Sequence, residues 1–215
     1  DSVFSCMQLP SLDGEGVRIA GILGFDFFSR AKIDLELDYS MFGLKPKKAY
    51  VYAPDTAVEE VRASALDLDN ITYVPLRLLS KVAHIEATVK GDEENEPVTN
   101  LMMLDMGAAG SHLVMSEKKA KSCGLVQEKN IKRDSSFLTG AGGIKMEASQ
   151  APIDYIELNG LRLEDKNMKA VLLSDSEWES DLSPACNGVL CCKVFDNCRL
   201  ILDYPSMRVG IQKLT

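Results

Sequence analysis

The sequence predicts a mainly β chain with short helices, made of a half unit, a linker and one complete unit of the same kind. Three observations predict it. Strict apolar–polar alternation, as in Ile33-Asp34-Leu35-Glu36-Leu37-Asp38-Tyr39, marks half-buried strands. The end of the chain repeats its beginning. Gly188-Val189-Leu190-Cys191 answers Gly21-Ile22-Leu23-Gly24, Phe195 answers Phe28, and Leu200-Ile201-Leu202-Asp203-Tyr204 answers Leu35-Glu36-Leu37-Asp38-Tyr39. From the first glycine to the Asp-Tyr pair is 17 residues in the first copy and 15 in the second. Finally, the apolar run Leu101-Met102-Met103-Leu104 delivers one acid, Asp105, into a loop of small residues, Gly107-Ala108-Ala109-Gly110.

Composition sets the outer limits. The chain has 215 residues, 46% of them apolar, enough for a sizeable core in one or two domains. The net charge of -8, with no like-charge block longer than Asp92-Glu93-Glu94, argues against nucleic acid or an anionic membrane as the main partner. No apolar run reaches the roughly 18 residues of a membrane span, and no signal peptide is visible. The chain begins at Asp1 rather than Met, so an upstream piece is expected to have been removed or left out. Cysteines at 6, 123, 186, 191, 192 and 198 fit neither a zinc ribbon nor a CxxC motif and read as buried free thiols. With only His84 and His112 and no acid-rich loop of ligand spacing, neither a metal nor a cofactor is predicted.

In chain order, residues 1–50 form the half unit. Val17 to Gly24 leads to a short helical candidate, Phe25 to Arg30, then the strand Ile33 to Tyr39 and a last short strand ending at Leu44. Lys45-Pro46-Lys47-Lys48 and Pro54 break the pattern. Thr56-Ala57-Val58-Glu59 has the form of a capping box, opening a helix through about Leu66. Residues 51–70 therefore read as a linker with one short helix. The complete unit, 71–215, opens with strands at Ile71–Leu79, Ala83–Lys90 and Val98–Leu104. Ser116 then caps a short helix that Gly124 ends. Thr139-Gly140-Ala141-Gly142-Gly143 reads as a mobile β-turn. A phosphate cradle is the weaker reading, since no long helix and no Lys-Ser/Thr follow. Strand candidates Ile144–Ala148 and Ile153–Leu158 precede a turn at Asn159-Gly160.

The Asp105 stretch taken alone has two readings. One is a strand ending in a β-turn, with the carboxylate wetted and Gly107 at positive φ. The other is an acid held at the end of a buried strand, where a charge is costly unless it has a use.

Together these pieces resemble the retropepsin-like aspartic protease family. The marks are Asp105-Met106-Gly107-Ala108 for its Asp-Thr/Ser-Gly-Ala loop, the stretch from Gly140 to Ile153 for its glycine-bearing flap, and Gly188-Val189-Leu190-Cys191 for its late apolar-apolar-Gly loop. The resemblance covers about 70–215 as one lobe and 1–50 as the second half of another. It implies closed β lobes, each a small β barrel with one short helix, paired about a two-fold axis. Each lobe gives one Asp to a dyad that shares a proton and activates water against a peptide carbonyl. It implies Asp105 as the catalytic residue, with Gly107, Ala108 and Ala109 and the flap residues Gly140, Gly142 and Gly143 against substrate.

Three features depart from the family. Met106 stands where the family has a hydroxyl that braces the two loops, and a thioether donates no hydrogen bond. Cys191 stands where a glycine lets the late loop pack against the catalytic one, so a side chain there is expected to push outward. The partner Asp is expected upstream of Asp1. The favoured expectation is a pseudoprotease, a non-catalytic protein-binding or structural subunit of a larger assembly. The alternative is an active aspartic endopeptidase taking its second Asp from a missing lobe or a second copy. Another polypeptide is expected to bind through residues 1–50, because Ile19, Ile22, Leu23, Phe27, Phe28, Ile33, Leu35, Leu37 and Leu44 suit a lobe interior whose other half is not in this sequence.

Overall fold

The computed structural model describes residues 25–40, 43–57, 70–92, 94–108, 110–139, 145–176, 178 and 187–214. The short helix α1 (Phe25–Phe28) leads into β1 (Lys32–Ser40) and β2 (Gly43–Tyr52). After 58–69, which lie outside the described residues together with most of the expected linker helix, come β3 (Thr72–Leu79), β4 (Val82–Lys90) and β5 (Val98–Asp105). The Asp105 loop separates β5 from β6 (Leu113–Ser116), which runs straight into α2 (Glu117–Ser122). The rest is β7 (Lys132–Thr139), β8 (Lys145–Pro152), β9 (Tyr155–Leu158), β10 (Leu161–Leu163), β11 (Lys169–Leu173), β12 (Val189–Cys191), a 3-10 turn at Cys192–Phe195, β13 (Cys198–Asp203) and β14 (Arg208–Lys213).

These fourteen strands form one mixed sheet in the order β2-β1-β13-β14-β3-β4-β5-β12-β6-β11-β8-β7, with β9 pairing β4 and β10. The sheet is open. The closed β barrel implied by the resemblance is corrected here: among the described residues β2 and β7 stand at the two ends of the order. The reason is in the pairing of the last two strands. β14 bonds to β3, while β13 turns its other edge to β1 of the half unit, so the sheet extends through the half unit instead of curling back.

The repeat becomes a symmetry at that junction. β1 and β13 are antiparallel with Leu35 opposite Leu200, the residue it matched in the sequence repeat. A pseudo-two-fold therefore passes between them. Asp34 and Arg199, also counterparts, share one face of the pair because side chains alternate along each strand. They form a two-pronged ion pair, Arg199 Nε to Asp34 Oδ1 at 2.7 Å and Nη2 to Oδ2 at 2.5 Å, with both residues buried.

A second correction concerns Lys45-Pro46-Lys47-Lys48, expected to break the pattern after Leu44. β2 runs through them to Tyr52, with a register shift opposite, between Glu36 and Leu37. An end strand tolerates proline because a missing N–H on its unpaired side removes no ladder bond. Proline and lysine on such an edge also discourage further strands from adding.

The expectation of a short helix between Ser116 and Gly124 holds. Ser116 caps α2 by accepting from the Lys119 N–H at 3.3 Å, and Gly124 takes φ +80° just past its end. Asn159 and Gly160, both at positive φ, make the tight turn of the β9–β10 hairpin. Of the surface expected to be uncovered in 1–50, Ile33 is buried, and Phe27, Phe28 and Leu35 pack against the main core. The chain itself covers that part of the face. Ile19, Ile22 and Leu23 lie outside the described residues.

Alternation sorts the sheet's two faces into two apolar clusters. The larger takes Leu113 and Met115 of β6, Leu172 of β11 and Leu190 of β12, with Ile85, Ile156, Phe195 and Leu200. The smaller lies on the opposite face of the same strands. It takes Val114 of β6, Val171 and Leu173 of β11, Val189 and Cys191 of β12, and Met146 and Ala148 of β8.

Candidate functional site

Asp105 is the last residue of β5, and β12 runs parallel beside it with Cys191 in register. The expected apposition of the Asp105 loop and the Val189-Leu190-Cys191 segment is thus observed. The loop closes tightly after the acid. Gly107 donates its N–H to Asp105 Oδ1 at 2.8 Å, and Ala108 donates to the Asp105 carbonyl at 3.3 Å. Gly107 is not at positive φ, contrary to the simple turn reading; Gly110 is, at +89°. A β-carbon at 107 would lie 3.2 Å from the Asp105 carboxylate, a tight approach.

Cys191 does not push the two loops apart. Its side chain is fully buried on the smaller-cluster face, and Ser111 Oγ donates to its sulfur at 3.4 Å. Its backbone N–H donates to the His112 carbonyl at 2.9 Å. Burial pushes the Cys191 thiol up to about 12 and that of Cys192 up to about 11, so both are neutral near pH 7. The brace that Met106 cannot supply comes from Cys192. Its N–H, at 3.2 Å, and its thiol, at 2.9 Å, both donate to the Ala108 carbonyl. Met106 instead packs half-buried against the main core. Cys123, Cys191, Cys192 and Cys198 are free thiols, the last three buried.

Sequence reasoning gave no role to His112. It is fully buried, and each ring nitrogen has a partner. Nδ1 accepts from the Lys169 N–H at 3.3 Å, which puts the ring proton on Nε2, 3.2 Å from Asp165 Oδ2. Burial holds its pKa below 6.5, with the nearby Lys193 charge acting in the same direction and Asp165 opposing. The ring is therefore neutral and ties β6 to β11. The one signal available was position, since His112 lies in the run of buried residues 111–116 directly after the acid loop.

Of the other candidates, Ala109, Gly140, Gly142 and Gly143 lie outside the described residues. The strands flanking the glycines, β7 and β8, are antiparallel with Thr139 opposite Lys145. Among the described residues no group of three or more His, Cys, Asp or Glu could hold a metal, and no helix is long and apolar enough to cross a membrane.

No family model and no curated protein matches the chain. Solved structures do. A retropepsin-like aspartic protease from Rickettsia conorii is similar at 16% identity and TM-score 0.41, over 66% of this chain and 90% of that one. An aspartic proteinase from Irpex lacteus is similar at 13% identity and TM-score 0.43, over 86% of this chain and 56% of that one. Conglutin gamma, a basic 7S globulin from lupine seeds, is similar at 14% identity and TM-score 0.45, over 89% of this chain and 53% of that one. The chain spans about half the length of the last two.

Proposed function

We propose that this chain is an aspartic-protease-fold protein that binds polypeptide on its Asp105 side without hydrolysing it, and that it works as a subunit attached to another polypeptide through residues 1–50. One observation carries the reading. The loops around Asp105 are locked by neutral groups, the Cys192 thiol and N–H on Ala108 and the Ser111 hydroxyl on Cys191, where a second acid loop would need an accessible, hydroxyl-braced partner. Asp105-Met106-Gly107 is the only Asp-x-Gly run in the sequence. A single carboxylate supplies the base for a water or the acid for a carbonyl, not both at once.

The test is incubation of the whole chain with unfolded casein between pH 3 and 7. We expect no cleavage from the unaltered chain or from Asp105→Asn. Cleavage that Asp105→Asn abolishes would overturn the reading in favour of an active endopeptidase. That second reading is supported by the intact Asp105–Gly107 geometry, and it needs a second Asp from another chain. Subunit attachment is checked on native material by light scattering. A lone 23.6 kDa monomer with residues 1–50 shielded from protease contradicts it.

A further inference from the structure

The Asp105 carboxylate is held still and has one oxygen to spare. It is half-buried at the end of β5, and Gly107 beside it is exposed, so solvent reaches the acid. Oδ1 is taken by the Gly107 N–H at 2.8 Å. Among the described residues nothing bonds to Oδ2, and no lysine, arginine or histidine pairs with the group. The buried Asp34 and Asp203 and the half-buried Asp175 and Glu117 each meet a lysine or an arginine. A second acceptor lies on the same face of the sheet. His84 of β4 stands opposite Met103, two residues before Asp105, and alternation puts His84, Met103 and Asp105 on one side with Cys191. His84 is 5% exposed. Its Nδ1 lies 3.0 Å from the Val82 carbonyl, which places the ring proton there and leaves Nε2 an acceptor. Nε2 has no partner among the described residues, yet it is not cut off from solvent. Diagonal neighbours across an antiparallel pair stand roughly 7–8 Å apart, enough for one small cation between their side chains. Met103, half-buried on the smaller cluster, lies beside that gap.

We propose that the Asp105 side takes a lysine of the bound polypeptide, its ammonium shared between Asp105 Oδ2 and His84 Nε2 and its stem laid along Met103. This deepens the polypeptide-binding reading and rests on it. Three features select lysine. An ammonium is a compact cation with several donors, so it serves one carboxylate oxygen and one ring nitrogen together. A guanidinium gains most from both oxygens of a carboxylate, and here Gly107 occupies one of them. The long apolar stem needs apolar surface next to the charge, which Met103 provides. Asp105 is pinned by Gly107 and flanked by the parallel β12, so it loses little freedom when the cation arrives.

The probes are three blocked pentapeptides, leucine and alanine around a central lysine, norleucine or arginine, titrated by calorimetry into the whole chain at low salt. The lysine peptide is expected to bind about tenfold more tightly than the norleucine peptide, with the arginine peptide between them. Asp105→Asn is expected to abolish the lysine preference. His84→Asn keeps a donor for the Val82 carbonyl but removes the ring acceptor, and should lower the preference about threefold. Lysine and norleucine peptides that bind the unaltered chain equally overturn this inference alone, whether or not the variants fold. So does a lysine preference that survives Asp105→Asn. An arginine peptide that binds more tightly than the lysine one overturns the shared-ammonium geometry. If none of the three binds, the polypeptide-binding reading falls as well.

Discussion

Two regions of this molecule hold buried ionisable side chains in different ways. At the seam between β1 and β13, Asp34 and Arg199 meet as a two-pronged ion pair on the face beside the pseudo-two-fold. Beside the acid loop, His112 is buried as a neutral ring between a backbone N–H and Asp165. The difference follows from what each group allows. A guanidinium stays charged, so it enters a core only with a matched carboxylate. An imidazole has a neutral form with one donor and one acceptor, and two ordinary partners satisfy it. The seam joins the two copies by charge; the loop region is held together by neutral hydrogen bonds that acid can undo.

The largest effect expected is at the seam. Arg199→Ala leaves Asp34 buried without its guanidinium and should cost about 3–5 kcal/mol, read from the urea midpoint. Replacing both, Asp34→Leu with Arg199→Met, should recover most of that loss. If the double variant is as unstable as the single one, the seam does not depend on this pair. Next come the two leucines on the pseudo-axis. Leu200 is fully buried and Leu35 only half so, although they are repeat counterparts facing each other. Leu200→Ala should cost about 2–5 kcal/mol and Leu35→Ala roughly half as much. Equal losses in thermal melts would show that the two copies share the seam evenly.

The smallest effect separates the neutral region from the charged one. The folded pKa of His112 lies below its ordinary 6.5. Between those two values the unfolded chain takes up a proton that the folded chain refuses, so stability is full above pH 6.5 and falls as the pH drops toward the folded pKa. His112→Asn should flatten that part of the stability profile between pH 7.5 and 5.5, while Arg199→Met with Asp34→Leu should leave it in place. Asp165 acts lower still, because the Asn167 N–H and then His112 hold its carboxyl below the usual range. A profile unchanged by His112→Asn would remove His112 from the account.

Local chemistry settled what lay close together in the chain. The strand at 33–39, the Ser116 cap with Gly124, the Asn159-Gly160 turn and the run into Asp105 are each written within a few residues, because capping, turn geometry and strand patterning are short-range. The repeat was legible as well, down to Leu35 and Leu200. Some strands were not. β7 carries Lys132, Arg133 and Asp134 and shows no apolar alternation, and β2 passes through a proline that only its end position permits. The site was legible as Asp105 and its facing loop. Whether the sheet closes, that Leu35 faces its own counterpart, that Cys192 braces the acid loop, and that His84 shares the Asp105 face were decided by tertiary structure. Each depends on which of two available edges or faces a segment takes, and that choice is made by partners tens of residues away.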